Sequence, residues 1–228
     1  MSEPLTLDLV DRDGAIREAH EEGMNRSALF RRAVVGGGTF LAGGLLVGGL
    51  PRVALGKPSA AQDGRILNFA LLLEYLESEF YVDAVNKGAL VTRPRLLGFA
   101  TTVRDHELAH VEFLSKALGS KAIGKPTFDF GDTVKDNWKF LATATVLEDT
   151  GVTAYDGQGT RLTRNTLAAA ATIVSVEARH AAWVRQIMYG AAGYGNAPYE
   201  YPAPSALQPY KTKDQVTEAV TATGFIKG

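Results

Sequence analysis

The stretch DHELAHVEFL, residues 105–114, decides the fold of this chain because it places Glu107 and His110 three residues apart in a helical pattern. The same spacing returns in SVEARHAA, residues 175–182, where Glu177 precedes His180. Side chains at positions i and i+3 of a helix project from one face, one turn apart, so each Glu and His pair can bind one metal ion. The sequence therefore predicts two helices that each supply a carboxylate and an imidazole.

Two further helical segments carry a different repeat, in which a Glu is followed seven residues later by a Tyr. The pairs are Glu74 with Tyr81 and Glu148 with Tyr155. Seven residues are nearly two turns, so each Tyr shares a face with its Glu and leans toward the helix N-terminus. We therefore expect each phenol to point toward the carboxylate of its own helix. The chain thus consists of two similar helical hairpins, which indicates an internal duplication.

The apolar surroundings of these carboxylates indicate bound cations. Glu74 lies within FALLLEYL, residues 69–76, and Glu177 ends IVSVE, residues 173–177. Ionised groups are rarely buried without a partner, so four carboxylates and two imidazoles in one core would repel unless cations lay among them. The chain has no Cys, which leaves His and carboxylates as the ligands. Two divalent or trivalent metal ions meet this need.

Two neighbouring residues remain open as members of the site. Glu77 lies one turn after Glu74 and is an additional or substitute ligand, although the repeat of Glu148 and Tyr155 favours Glu74. His106 lies four residues before His110 and borders the site. For His106 a place beside the ligands is favoured over direct metal binding.

The hydrophobic periodicity predicts an all-α fold in one globular domain. Of 228 residues, 46% are apolar, which is enough for one sizeable core. We expect long helices over residues 65–85, 94–118, 134–155 and 162–189, with a break at 156–159, a long connection at 119–132, a short helix at 214–222 and no strands. The domain boundaries follow: a lead-in and signal segment at 1–61, a bundle at 62–190 and a strap at 191–228.

These motifs resemble the ferritin-like superfamily, in which two helices each give a Glu and two others each give Glu-x-x-His. LNFALLLEYLESEFY, RDHELAHVEFL and the terminal GFIKG are similar to an exported bacterial ferritin-like group that includes plant desiccation-related proteins. The resemblance implies a four-helix bundle with a long crossover connection and two iron or manganese ions. It implies one metal held by Glu74, Glu107 and His110, and another by Glu148, Glu177 and His180. Glu107 and Glu177 would bridge them.

The resemblance also implies an oxidoreductase that acts on ferrous iron, oxygen or peroxide. The Glu and Tyr repeat makes Tyr81 and Tyr155 candidate catalytic residues, with ordinary core tyrosines whose hydroxyls are satisfied as the open alternative. The alternative is a non-catalytic stress or desiccation-protection protein of the cell envelope on the same scaffold. The 24 Lys and Arg nearly balance 25 Asp and Glu, so no electrostatic case for nucleic acid exists. Assembly into a homo-oligomer stays open.

The N-terminal sixty residues predict export. Arg31 and Arg32 precede an uncharged, Gly-rich apolar stretch at 33–50, and the small residues Ser59, Ala60 and Ala61 follow. This order resembles a twin-arginine signal with a cleavage site. We expect the domain to lie in the periplasm or the cell envelope, with an uncleaved N-terminal membrane anchor as the alternative.

Overall fold

The protein is built on four long helices: α1 (Ala60–Asn86), α2 (Pro94–Leu118), α3 (Asn137–Gly159) and α4 (Arg164–Tyr189). The computed structural model describes residues 58–87, 90, 92–189 and 202–227, all within one compact unit. The predicted signal, with Arg31 and Arg32, lies outside the described residues. Among the helices that are described, none has both the length and the apolar character that a membrane crossing requires.

Local capping explains where the helices begin. The Ser59 hydroxyl accepts a hydrogen bond from the Gln62 N–H at 3.3 Å, so α1 begins five residues earlier than the sequence predicted. Asp136 caps α3 by accepting from the N–H groups of Trp138 and Lys139. Pro94 occupies the first turn of α2, where its missing N–H costs nothing.

The predicted break at residues 156–159 is wrong, because α3 continues through Gly159. Gln158 is buried there, and Gly157 faces the backbone of Lys211 in the C-terminal tail. The Lys211 N–H also donates to the Thr153 carbonyl at 3.1 Å. Gly157, which suggested a turn in the sequence, instead permits close contact between the helix and the tail.

The helices pair as two hairpins. α1 packs along α2 and α3 packs along α4, and the hairpins meet through α1 against α3 and α2 against α4. The connection from α2 to α3 contains a short 3-10 turn (Gly119–Lys121) and β1 (Thr127–Phe128). The prediction of an all-α bundle with a long crossover connection is confirmed.

The C-terminal tail packs on the bundle through α5 (Lys213–Thr223) and β2 (Ile226–Lys227). Val216 and Val220 of α5 enter the core beside α3. β2 pairs antiparallel with β1, with Thr127 opposite Lys227. The sequence predicted no strands, because two-residue strands that pair across nearly a hundred residues leave no alternating pattern to detect.

An aromatic cluster fills the core next to the α1–α3 contact. Phe80 stacks on Phe140 with ring centroids 5.3 Å apart, and Tyr81 and Phe99 meet Phe140 edge-on. All four side chains are fully buried. The ring of Tyr81 thus packs in the apolar cluster, while its hydroxyl is directed away from the cluster and can bond to a polar partner.

We predict that Gly157→Ala destabilises the protein by about 1–3 kcal/mol. The added Cβ would lie 1.9 Å from the Lys211 carbonyl oxygen, so the tail has to move. Urea unfolding followed by circular dichroism measures the change. Gly98→Ala is the matched control, because its added Cβ meets nothing within 4 Å and should stabilise α2 slightly. Equal stability of the two variants would contradict the prediction.

Candidate metal centre

The six residues that the sequence selected come together in the interior of the bundle. Each long helix contributes, and all six side chains are buried: Glu74, Glu107, His110, Glu148, Glu177 and His180. Their ligand atoms form two groups, each within 4.8 Å across. One group contains Glu74, Glu107, His110 and Glu177, and the other contains Glu107, Glu148, Glu177 and His180. Glu107 and Glu177 belong to both groups, as expected of bridging residues.

Each imidazole turns its Nδ1 atom toward the carboxylates. His110 Nδ1 lies 3.2 Å from Glu107 Oε2 and 3.0 Å from Glu177 Oε1. His180 Nδ1 lies 3.0 Å from Glu107 Oε1 and 3.3 Å from Glu148 Oε2. The i, i+3 spacing that brought Glu107 and His110 to attention therefore produces a direct contact within α2.

Several buried atoms at this centre have no hydrogen-bond partner among the described residues. They are Glu77 Oε2, Glu107 Oε1, Glu148 Oε2, both carboxylate oxygens of Glu177, and His180 Nδ1. His180 Nδ1 and Glu107 Oε1 are only 3.0 Å apart, yet their relative orientation does not allow a hydrogen bond. Buried polar atoms without partners are costly and rare. Lone pairs that converge without hydrogen bonds fit metal ions, and oxygen and imidazole donors suit iron and manganese.

The pKa values of several groups in the centre differ strongly from their ordinary values. Burial, and then neighbouring carboxylates, raise the pKa of Glu177 well above its ordinary value. Burial likewise raises the pKa of Glu107, against the opposing hydrogen bond to His110. Burial disfavours the charged form of His110, but the nearby carboxylates of Glu107, Glu177 and Glu74 outweigh this effect and raise the pKa of His110 to about 12. Without metal, the centre thus retains protons that a cation would displace.

The two tyrosines reach the centre in a crossed arrangement that the sequence did not predict. The Tyr81 hydroxyl donates to Glu148 Oε1 at 2.5 Å, and the Tyr155 hydroxyl donates to Glu74 Oε1 at 2.5 Å. The expectation that each phenol points to the Glu of its own helix is wrong. Seven residues separate those positions by about 10 Å along a helix, beyond a leaning side chain. The reciprocal pairing also means that α1 and α3 run in opposite directions.

Glu74 and Glu148, the outer carboxylates, each belong to one ligand group only. The two oxygens of each outer carboxylate have different partners. Glu74 uses Oε1 for Tyr155 and turns Oε2 to His110, at 3.2 Å. Glu148 uses Oε1 for Tyr81 and turns Oε2 to His180. Burial and the adjacent carboxylates raise the pKa of both tyrosines, so the phenols remain donors. One oxygen of each outer carboxylate is therefore held, and the other faces the ligand group.

Two residues that the sequence left open lie next to the ligand groups and outside both. Glu77 is buried, and its pKa is raised by burial and then by Glu177. His106 is exposed, and its Nδ1 lies 2.9 Å from Nε2 of His180. If His180 offers Nδ1 to a metal, its Nε2 carries the proton and donates to His106.

Gly151 is the residue of this centre that sequence reasoning missed. A Cβ at this position would lie 3.0 Å from Glu177 Oε2 and 3.1 Å from Glu77 Oε1. The absent side chain lets both carboxylates approach α3. The available signal was a glycine in a helix interior, which lowers helix stability unless packing requires it.

The family model for the ferritin-like domain matches residues 62–190, the segment that contains all six selected residues. The chain belongs to the ferritin-like domain family. No curated protein matches it. In this ferritin-like domain the buried Glu and His side chains fit metal ions, with each of the four helices contributing to the centre.

We predict that the metal-free domain loses stability as pH rises from about 5 to about 9. Glu107 and Glu177 have folded pKa values above the ordinary 4.5, so their contribution is complete below pH 4.5 and declines as the unfolded chain ionises. The contribution of His110 to the free energy of unfolding is complete below pH 6.5 and declines as the pH rises toward its folded pKa of about 12. Both effects lower the free energy of unfolding as the pH rises.

Thermal unfolding of chelator-treated protein across this pH range measures the effect. Metal-loaded protein is the control, because cations replace the protons and should remove the decline. A melting temperature of the metal-free domain that increases with pH would contradict the prediction.

Proposed function

We propose that this protein is a dinuclear metal oxidoreductase that acts on ferrous iron, oxygen or hydrogen peroxide. The observation that carries the proposal is the overlap of two buried ligand groups at Glu107 and Glu177. Shared carboxylates allow two cations to lie close together in one site, as in two-metal enzymes. The partnerless oxygens of Glu177 support this assignment, because one oxygen is available to each cation.

The donor set would hold two ions of iron or manganese. Glu74 and His110 would belong to one ion, Glu148 and His180 to the other, and Glu107 and Glu177 to both. Bound metal ions would supply the redox chemistry that these side chains lack. Oxygen and nitrogen donors suit both metals, so the metal that is loaded depends on its availability.

The protein's own residues orient the ligands and keep water away. Tyr81 and Tyr155 each hold one oxygen of Glu148 and Glu74, and their raised pKa values keep the proton on the phenol oxygen. The aromatic cluster at Phe80 and Phe140 seals the side of Tyr81. Each phenol can therefore hold its carboxylate in place as a hydrogen-bond donor without admitting bulk water.

We predict that Glu107→Ala and Glu177→Ala reduce bound metal far more than Glu74→Ala or Glu148→Ala. The first two remove a ligand common to both groups, whereas the others affect mainly one group. Elemental analysis after reconstitution with ferrous iron or manganese should give about two ions per chain for the wild type. It should give about one ion for the outer variants and almost none for the shared-ligand variants.

Glu112→Ala is the matched control, because Glu112 lies on α2 but is solvent-exposed. Circular dichroism should show that the variants keep their helices, since losing buried like charges relieves repulsion. Consumption of oxygen or peroxide should fall with metal content. A metal-loaded wild type that neither oxidises ferrous iron nor consumes peroxide would favour the non-catalytic stress-protection alternative.

Export is the second part of the proposal, and it depends on the sequence of residues 31–61. Export by the twin-arginine route, which carries folded proteins, would suit a domain loaded with metal before transport. We predict that replacing Arg31 and Arg32 with Lys abolishes export of the full chain, measured by fractionation of expressing cells. Replacing Arg12 and Arg17 with Lys is the control. Unchanged export of the Arg31 and Arg32 variant would contradict the twin-arginine assignment.

A further inference from the structure

A pocket near one end of the bundle gathers three basic side chains from separate parts of the chain. Arg65 comes from α1, Arg161 follows α3, and Lys213 begins α5. The cavity measures about 90 Å³ and contains no carboxylate among its lining residues. Three cations around one cavity make a positive potential that favours an anion.

None of the three basic side chains forms an ion pair with an acidic residue among the described residues, and Arg65 and Lys213 are exposed. Arg161 Nη1 donates to Gln158 Oε1 at 3.2 Å, and Gln158 is itself only 4% exposed. Lys213 Nζ lies 5.4 Å from the centre of the Phe69 ring. The nearest acid along α1 is Asp63, whose oxygens accept from Thr163 and Thr166. The pocket therefore leaves charge for a ligand to neutralise.

An apolar recess adjoins the cationic pocket and shares Ile66, Phe69 and Gln158 with it. Leu73, Ala154, Leu162 and Ala170 line the recess, which has a cavity volume of about 10 Å³, enough for one methyl-sized group. Its inner wall includes Tyr155, whose hydroxyl donates to Glu74 of the metal centre. A ligand that fills both cavities thus has an anionic end and a short apolar end.

We propose that this pocket binds a small organic carboxylate. The carboxylate lies between Arg65, Arg161 and Lys213, where the guanidinium groups offer paired donors. Its short apolar group lies in the recess against Tyr155. Inorganic phosphate fits less well, because it has no apolar part to place there. Binding itself does not depend on the proposed function, whereas an influence on the metal centre through Tyr155 and Glu74 does.

Isothermal titration calorimetry of the full-length protein with sodium acetate, sodium butyrate and inorganic phosphate tests the proposal. Butyrate has two more methylene groups than acetate, and burial of even one of them should make butyrate bind about fourfold more tightly. Phosphate should bind more weakly than butyrate. Arg161→Gln and Lys213→Gln should each weaken butyrate binding about tenfold, the effect of losing one charged hydrogen bond.

Lys121→Gln is the matched control, because Lys121 is an exposed lysine outside the pocket. It should leave butyrate affinity unchanged. Equal affinity for acetate and butyrate, tighter binding of phosphate, or equal effects of Lys121→Gln and Lys213→Gln would overturn the proposal. Titrations of metal-free and metal-loaded protein keep the two hypotheses apart. Butyrate binding by a protein that takes up no metal would leave the pocket standing and refute only the dinuclear centre.

Discussion

Five carboxylates buried between four helices are the constraint on which the rest of the structure depends. Glu74, Glu77, Glu107, Glu148 and Glu177 are each at most 2% exposed. Among the described residues no Lys or Arg pairs with any of them, and the ion pairs they form are with His110 and His180. Burial of so much uncompensated charge would oppose folding. Protons or metal ions must therefore complete this core, and the fold is linked to what occupies it.

The reciprocal tyrosine contacts make the two hairpins depend on each other. Tyr81 of the first hairpin holds Glu148 of the second, and Tyr155 of the second holds Glu74 of the first. Neither hairpin alone contains a complete ligand group, because each group draws on residues from both. Two hairpins with the same Glu-x6-Tyr spacing thus form the centre at their interface, where opposite helix directions place each Tyr against the Glu of the other hairpin.

Sequence reasoning identified the residues of the centre but not the contacts between them. Spacing along one helix determines which side chains share a face, so Glu107 with His110 followed from the sequence alone. The partner of Tyr81 depended on the relative direction of α1 and α3, which no local pattern contains. The role of Gly151 depended in the same way on Glu77 and Glu177 from other helices. Gly157 was mistaken for a helix break because its reason, the nearby Lys211 carbonyl, lies in the tail.

The two hairpins are nevertheless unequal at their imidazoles. His180 has a hydrogen-bond contact at Nε2, which lies 2.9 Å from His106 Nδ1, while its Nδ1 faces carboxylates without a hydrogen bond. His110 has only its Nδ1 contacts among the described residues, and it is more exposed, 9% against 2%. The sequence explains the difference. His106, four residues before His110, contacts His180 of the other hairpin. The equivalent residue, four positions before His180, is Val176, which has no polar group to offer His110. One ring is oriented by a second histidine, while the other depends on the carboxylates alone.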